Sequence, residues 1–450
     1  MVNKQFDVVV IGGGNAGIGV TGPARKAGLS VAVLEPSLLG GTCSNRGCTP
    51  KKVLVAAAHA LDEIARAGEH KISVAKPELD WAGLIGREKG LIEGLPNRFR
   101  QALDDRDVTV IEGQGQFVGP NSVAVNGDVL EAQHIVVATG SAPRQLPIAG
   151  AELMVTSDEV LSDPRQPRHV VFIGGGVIAF EFAHVYARAG TRVTILEAAP
   201  HFLGPFDQDG VARVVAETER IGVELHKDIV VESIEANGQS RRVTFRSGST
   251  THRIDADLVV NGAGRVANLD SLDLEAAGVA MDRGRITTDN HFRSVSNPAV
   301  WAGGDALVGK PQLSPVATLE GNIIGENIAG GSRQRPDYRQ IPSALYTIPT
   351  YAMVGLTEAA AREAELNTRV EVNDMSGWLS SRTFAESEAW AKVIVDTDTD
   401  LICGAHIVGH AGEELIHQFA MAMRHAITAT EMKQATYAFP TYSADVRSMF

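Results

Sequence analysis

Two copies of one nucleotide-binding pattern constrain this chain more than anything else in it. Asp7 to Ile11 reads as a fully buried strand, since Val8, Val9, Val10 and Ile11 form a continuous apolar run. The run ends in Gly12-x-Gly14-x-x-Gly17, a helical stretch follows to Ala27, and a second apolar run, Val31 to Leu34, ends at Glu35. Such a strand–turn–helix–strand unit lets the backbone approach a pyrophosphate at a helix N-terminus, while the acid receives a ribose hydroxyl. The pattern recurs: Val170 to Ile173 runs into Gly174-x-Gly176-x-x-Ala179, then a helix, then Val193 to Leu196 and Glu197. From first glycine to acid is 23 positions in both copies, 12 to 35 and 174 to 197. A lone glycine motif carries little. Two copies with strand, helix and acid in place predict two dinucleotides on one chain, most simply a flavin fed by a nicotinamide.

Shortly after the first unit comes Gly40-Gly41-Thr42-Cys43-Ser44-Asn45-Arg46-Gly47-Cys48-Thr49-Pro50-Lys51-Lys52. Two cysteines with four residues between them, beside Arg46, Lys51 and Lys52, suit a pair that cycles between dithiol and disulfide, the cations favouring the reactive thiolate. Half a zinc site and two buried apolar residues are the rival readings. Zinc sites usually space their cysteines more closely and draw two more ligands from a second cluster. The only other cysteine, Cys403, lies in the apolar run Leu401 to Val408 and reads as a buried strand residue.

The 450 residues allow two to four domains, and 44% hydrophobic with 21% charged residues is an ordinary globular balance. Formal charge is −13, from 41 basic and 54 acidic residues, which argues against nucleic acid or an anionic membrane surface as the main partner. Three cysteines exclude a secreted disulfide scaffold, so a redox-spaced pair points to a reducing compartment. The N-terminus enters a strand with neither signal peptide nor long apolar span; the expectation is a soluble, cytoplasmic protein. His134 to Ser141 is a further strand ending in a small-residue turn. Val300 to Ala306 is another, with Asp305 just past its glycines; it is a turn former or, in this setting, a holder of a flavin's ribityl hydroxyl. Character changes near 340, where strands and an amphipathic helix over 413–427, with Leu415, Ile416, Phe419, Ala420, Met423 and Ala426 on one side, read as a separate α+β domain.

From about Asp7 to Ser443 the chain resembles the pyridine nucleotide–disulfide oxidoreductases, the group of glutathione reductase, dihydrolipoyl dehydrogenase and mercuric reductase, with the motifs in family order. The resemblance implies an α/β fold of two Rossmann-like domains. An NAD(P)-binding domain, 146–262, is inserted in an FAD-binding domain, 1–145 and 263–338, and a C-terminal α+β domain, 339–450, makes a homodimer. It implies Cys43 as the interchange thiol, Cys48 as the thiol beside the flavin, and a Lys52–Glu181 ion pair near the flavin ring. FAD contacts fall on Gly12, Gly14, Gly17, Glu35, Gly41, Thr42, Lys52, Gly115, Thr139, Gly140, Ser141, Asp305, Gln312, Leu313 and Ala317. The nicotinamide falls to Gly174, Gly176, Ala179, Glu181, Glu197 and Gly264. NADH is expected over NADPH, because Glu197 is followed by Ala198-Ala199-Pro200, with no cation for a 2′-phosphate. No metal site is expected.

The implied reaction takes electrons from NAD(P)H through FAD and Cys43–Cys48 to a disulfide-type or other small molecule at the subunit interface. A mercuric-type metal-ion reductase, a quinone-directed diaphorase and a redox sensor are the alternatives. Two departures bear on the choice. The family's His-Pro-Thr-x-Ser-Glu, whose Glu-held His shuttles a proton to the leaving thiol, is Phe439-Pro440-Thr441-Tyr442-Ser443-Ala444 here. Tyr437, Tyr442 and Asp445 are better placed to substitute than His406, His410, His417 or His425. Secondly, Pro-Ser-Lys is Pro50-Lys51-Lys52, an extra cation by the redox pair.

Overall fold

The computed structural model describes residues 3–307, 309–331 and 334–450. The chain divides into two compact units, residues 1–51, 86–144 and 265–337 in one, and residues 52–85, 145–264 and 338–450 in the other.

In the first unit the apolar run before the glycines becomes the strand Asn3–Ile11, central in a seven-stranded sheet. It pairs in parallel with Val31–Glu35 and with Asp128–Val137, which also receives Val300–Ala302 in parallel and Ser122–Val125 in antiparallel. Val8, Val9 and Val10 are wholly buried, as expected where helices cover both faces of parallel strands. Register places Ile11 beside Leu34, so the first glycine turn and Glu35 emerge at the same level of the sheet. The helices Asn15–Lys26 and Ser314–Gly330 cross tightly: a Cβ at Gly321 would lie 2.1 Å from the Ala16 carbonyl oxygen. Any side chain there would force the helices apart.

The second unit holds the other nucleotide-type sheet, four parallel strands in the order Glu224–His226, Arg192–Leu196, His169–Ile173, Leu258–Asn261. An antiparallel meander, Ile229–Asn237, Ser240–Ser247 and Thr250–Ala256, accompanies it. The C-terminal segment forms a five-stranded antiparallel sheet with Ile402–Gly409 at its centre, covered by the helix Gly412–Arg424. Two expectations change here. The helix ends at Arg424, and Ala426 is an exposed residue with φ of +53° rather than part of the apolar stripe. Cys403 is on a strand as expected but half-buried, because the ladder to Trp390–Asp396 skips it at a bulge.

Lys392, buried on the strand Trp390–Asp396, lies 2.9 Å from Asp207, 2.6 Å from Asp209 and 2.9 Å from Glu358. Asp207 is itself buried. Replacing Lys392 by the similarly sized Met would leave Asp207 without its cation, and denaturant unfolding should show a loss of about 3 kcal/mol. A loss well under 1 kcal/mol would mean that water already screens the cluster.

Candidate active site

The first glycine turn is shaped for a ligand that must come close to the backbone. Gly12 has φ of +116°, and a Cβ at Gly17 would lie 1.9 Å from the Gly12 carbonyl oxygen, so neither position accepts a side chain. Gly14 precedes the helix Asn15–Lys26 without any side-chain cap, leaving the helix's first N–H groups available to an anion. Gly41 packs against it; a Cβ there would lie 2.8 Å from Gly14 Cα. Glu35 accepts the Gly13 N–H at 2.8 Å and the Ser37 N–H at 2.9 Å. The same unit brings in Asp305, whose carboxylate accepts from the Ser141 hydroxyl at 3.1 Å, and Arg265, which donates to Ser141 Oγ at 2.9 Å. Burial raises the Asp305 carboxyl, against the Ser141 bond and the Arg265 charge. Gly140 turns the chain beside them with φ of +71°, and the Thr139 hydroxyl oxygen is buried without a partner among the described residues. Gly115 backs onto Leu34, Ala317 lies half-buried near Gly304, Leu313 is half-buried, and Gln312 and Thr42 are exposed. An open helix start, a hydroxyl awaiting a partner and a carboxylate at the strand end fit a dinucleotide.

The second turn repeats the arrangement. Glu197 accepts the Gly175 N–H at 2.5 Å and the Ala199 N–H at 2.7 Å, the same two positions that Glu35 holds in its own turn. Gly176 precedes the helix Val177–Arg188, again uncapped by a side chain. Gly174 has φ of +106°, Ala179 is buried in the helix's first turn, and Gly264 has φ of +93° with open space around it.

Cys43 lies in the short helix Gly41–Arg46, and Cys48 opens the helix Cys48–Arg66. Both are free thiols, Cys43 half-buried and Cys48 exposed. The Cys48 thiol donates to the Cys43 sulfur, and with a bond from Ser314 and the charge of Lys51 it overcomes the cost of burial and holds Cys43 down at about 6. The same bond pushes Cys48 up. Lys51 is buried whereas Lys52 is exposed, and the cation felt by both sulfurs is Lys51, the one additional to the family's Pro-Ser-Lys.

Lys52 belongs with the second unit. Its ammonium lies 3.5 Å from Glu413 and 4.0 Å from the centroid of the Tyr346 ring. Glu181, buried on the helix Val177–Arg188, accepts the Tyr346 N–H at 2.9 Å. Tyr346 is therefore a neighbour of both residues that the resemblance pairs. Neither it nor Glu413 has a sequence signal of its own.

Residues 6–321 match the profile of the pyridine nucleotide-disulphide oxidoreductases, and residues 341–450 match the dimerisation domain of the same family. The chain belongs to that family. It is 31% identical over 449 residues to a glutathione reductase of Burkholderia cepacia, covering 99% of this chain and 98% of that one. It is 31% identical over 448 residues to a dihydrolipoyl dehydrogenase of Chlamydia trachomatis, covering 98% and 95%. A mercuric reductase of Lysinibacillus sphaericus is 28% identical over 451 residues, 99% of this chain and 82% of its own. As a pyridine nucleotide-disulphide oxidoreductase the chain is an NAD(P)H-dependent flavoprotein enzyme, with FAD as its cofactor.

Around the segment that replaces the family's His–Glu dyad, Phe439 is 77% exposed and Ala444 is buried. The candidate substitutes are engaged within their own unit. The Tyr437 hydroxyl donates to the Met432 carbonyl at 2.9 Å, the Tyr442 hydroxyl donates to Glu386, and Asp445 accepts from Ser380. Burial raises all three, and the Glu386 carboxylate pushes Tyr442 up further. Of the histidines, His406 is buried under Tyr351 and kept neutral by burial, while His417 and His425 are exposed. Burial opposes the charge of His410, but Asp62 and Glu386, each 3.5 Å away, outweigh it and hold the ring up to about 9. Among the described residues no cluster of three or more His, Cys, Asp or Glu could hold a metal ion, and no helix is long and apolar enough to cross a membrane.

Proposed function

We propose that this enzyme passes electrons from a nicotinamide, NADH in preference to NADPH, to a small disulfide substrate by way of Cys43 and Cys48. FAD, when bound, supplies the two-electron link between nicotinamide and dithiol. In this reading Glu35 and the uncapped helix at Gly14 hold its nucleotide half, and Thr139, Ser141 and Asp305 take its hydroxyls. Glu197, Gly174 and Gly176 take the nicotinamide dinucleotide. The domain limits are 1–145 with 263–338, 146–262, and 339–450, the last joining two copies of the chain, as the dimerisation-domain match suggests.

The observation that carries the reading is the asymmetry of the sulfur pair. The contact between the two thiols holds Cys43 low and pushes Cys48 up, which makes Cys43 the more readily ionised of the pair. Cys43 attacks one sulfur of the substrate and expels a thiolate. Cys48 then attacks Cys43 Sγ, expels the second thiolate, and closes the Cys43–Cys48 disulfide while its proton leaves with the product. Two electrons have moved from the dithiol to the substrate.

Steady-state oxidation of NADH and NADPH against a panel of disulfides, metal ions and quinones tests this. NADH should be favoured in kcat/KM by about tenfold or more, because a carboxylate facing a 2′-phosphate costs about a kcal/mol or more. An NADPH preference would mean that Glu197 does not face the ribose. Activity with quinones alone would remove disulfide reduction from the proposal.

A further inference from the structure

The strand Val300–Ala302 runs parallel to Asp128–Val137 with Ala302 beside Val137, so the turns that follow the two strands emerge side by side. One turn carries Thr139, Gly140 and Ser141, and the other carries Asp305. A third segment, Arg265 to Asn268, is laid against the first of them: Arg265–Ala267 pairs antiparallel with Ser141–Pro143. The Arg265 guanidinium donates to the Ser141 carbonyl at 2.6 Å and to Ser141 Oγ at 2.9 Å, and the Asn268 N–H donates to the Gly140 carbonyl at 3.0 Å. A guanidinium has only hydrogens to offer, so at the serine hydroxyl it takes a lone pair. The single proton of Ser141 is left for Asp305 Oδ2, 3.1 Å away. Oδ1 of Asp305 has no hydrogen-bond partner among the described residues, and neither has the buried Thr139 hydroxyl oxygen. Burial favours the neutral acid at Asp305, while the Ser141 bond and the Arg265 charge favour the anion. Glu320, buried on the helix Ser314–Gly330, accepts the Gly304 N–H at 2.7 Å, so the backbone of that turn is pinned as well.

We propose that Arg265 and Ser141 form a relay behind Asp305, holding its carboxylate in one orientation and keeping Oδ1 for a hydroxyl of the flavin's ribityl chain. Ser141 then acts on the carboxylate rather than on the cofactor. Arg265 and Ser141 are positioning residues. The guanidinium polarises the serine hydroxyl, which strengthens the bond that the hydroxyl makes to Oδ2. With the serine proton spent, the groups left for a ligand are Asp305 Oδ1 and the Thr139 hydroxyl. The proposal rests on the reading of Asp305 as an FAD contact, yet it can fail separately. FAD held by Asp305→Ala as tightly as by wild type would sink that reading and the relay with it. Where Asp305→Ala does weaken FAD, the relay is judged by whether Arg265 acts through Ser141.

The test is FAD release from the diluted holoenzyme, read as the rise in flavin fluorescence, with far-UV circular dichroism to show that each variant is folded. Ser141→Ala and Arg265→Met should each raise the apparent FAD Kd by about tenfold, the scale of one hydrogen bond to a charged group. Ser141→Thr keeps the hydroxyl and should stay close to wild type. The double variant, Ser141→Ala with Arg265→Met, should release FAD little more readily than Ser141→Ala alone, because the guanidinium has lost the group it acts through. Unchanged retention in Ser141→Ala overturns the proposal. So does equal release from Ser141→Ala and Ser141→Thr, or a double variant in which the two effects multiply in full. If Arg265→Met does not fold, the Ser141→Ala and Ser141→Thr pair decides.

Discussion

Cys43→Ser should lower disulfide-dependent NADH oxidation by about three orders of magnitude or more, the scale on which enzymes lose turnover when the nucleophile is removed. A serine hydroxyl does not ionise near neutral pH and cannot enter thiol–disulfide exchange. Turnover with a dye acceptor that bypasses the dithiol should survive, which separates loss of the nucleophile from loss of the fold. Cys48→Ser should behave differently. Its Cys43 still attacks, but nothing resolves the product, so one equivalent of substrate thiol should remain attached to Cys43 and be visible as a mass increment on that peptide. Because the Cys48 thiol does most to hold Cys43 low, the attack in this variant should also need higher pH than in wild type. Disulfide turnover in Cys43→Ser within tenfold of wild type would remove the dithiol from the path.

The parts of this site that were legible in the sequence are those whose physics is local. A glycine turn, its helix and the acid 23 positions on share one βαβ unit, so periodicity and spacing locate Glu35 and Glu197, and both carboxylates make the same two backbone bonds. Cys43 and Cys48 are similarly near in the chain, and the helix start between them is written in their own segment. Partners chosen by tertiary packing were not legible. Ser314 reaches Asn15 across 299 positions, and Glu413 reaches Lys52 across 361. Of the two adjacent lysines, which one is buried depends on the helical phase of Cys48–Arg66 against its surroundings, and no dipeptide encodes that. Cys403 shows the limit from another side: an apolar run predicts a strand, but a bulge that exposes one of its residues is set by the neighbouring strand.

Restoring the family's dyad should be a gain of function, and that gives a sharp test of what positions 439 and 444 mean. A positioned general acid contributes about 10²–10⁴-fold to proton-dependent steps. In this chain Phe439 offers no proton, Ala444 could not orient one, and the hydroxyls of Tyr437 and Tyr442 are given to the Met432 carbonyl and to Glu386. Reoxidation of the reduced enzyme by an alkyl disulfide should therefore be slow and should steepen as the leaving thiol becomes more acidic, since such a thiol departs without a proton. Reduction by NADH needs none of these groups and should stay fast. Phe439→His alone should gain little, because nothing fixes its tautomer. Phe439→His with Ala444→Glu should speed reoxidation by glutathione disulfide about tenfold or more and flatten the dependence on leaving-group acidity. Tyr442→Phe distinguishes the rival account, in which that tyrosine has taken over the proton. If reoxidation in Tyr442→Phe falls by the full general-acid factor while the double variant gains nothing, the dyad was replaced rather than lost. Rapid reoxidation of the unaltered enzyme by glutathione disulfide or lipoamide would show that this site protonates its leaving thiol by a route that does not involve position 439.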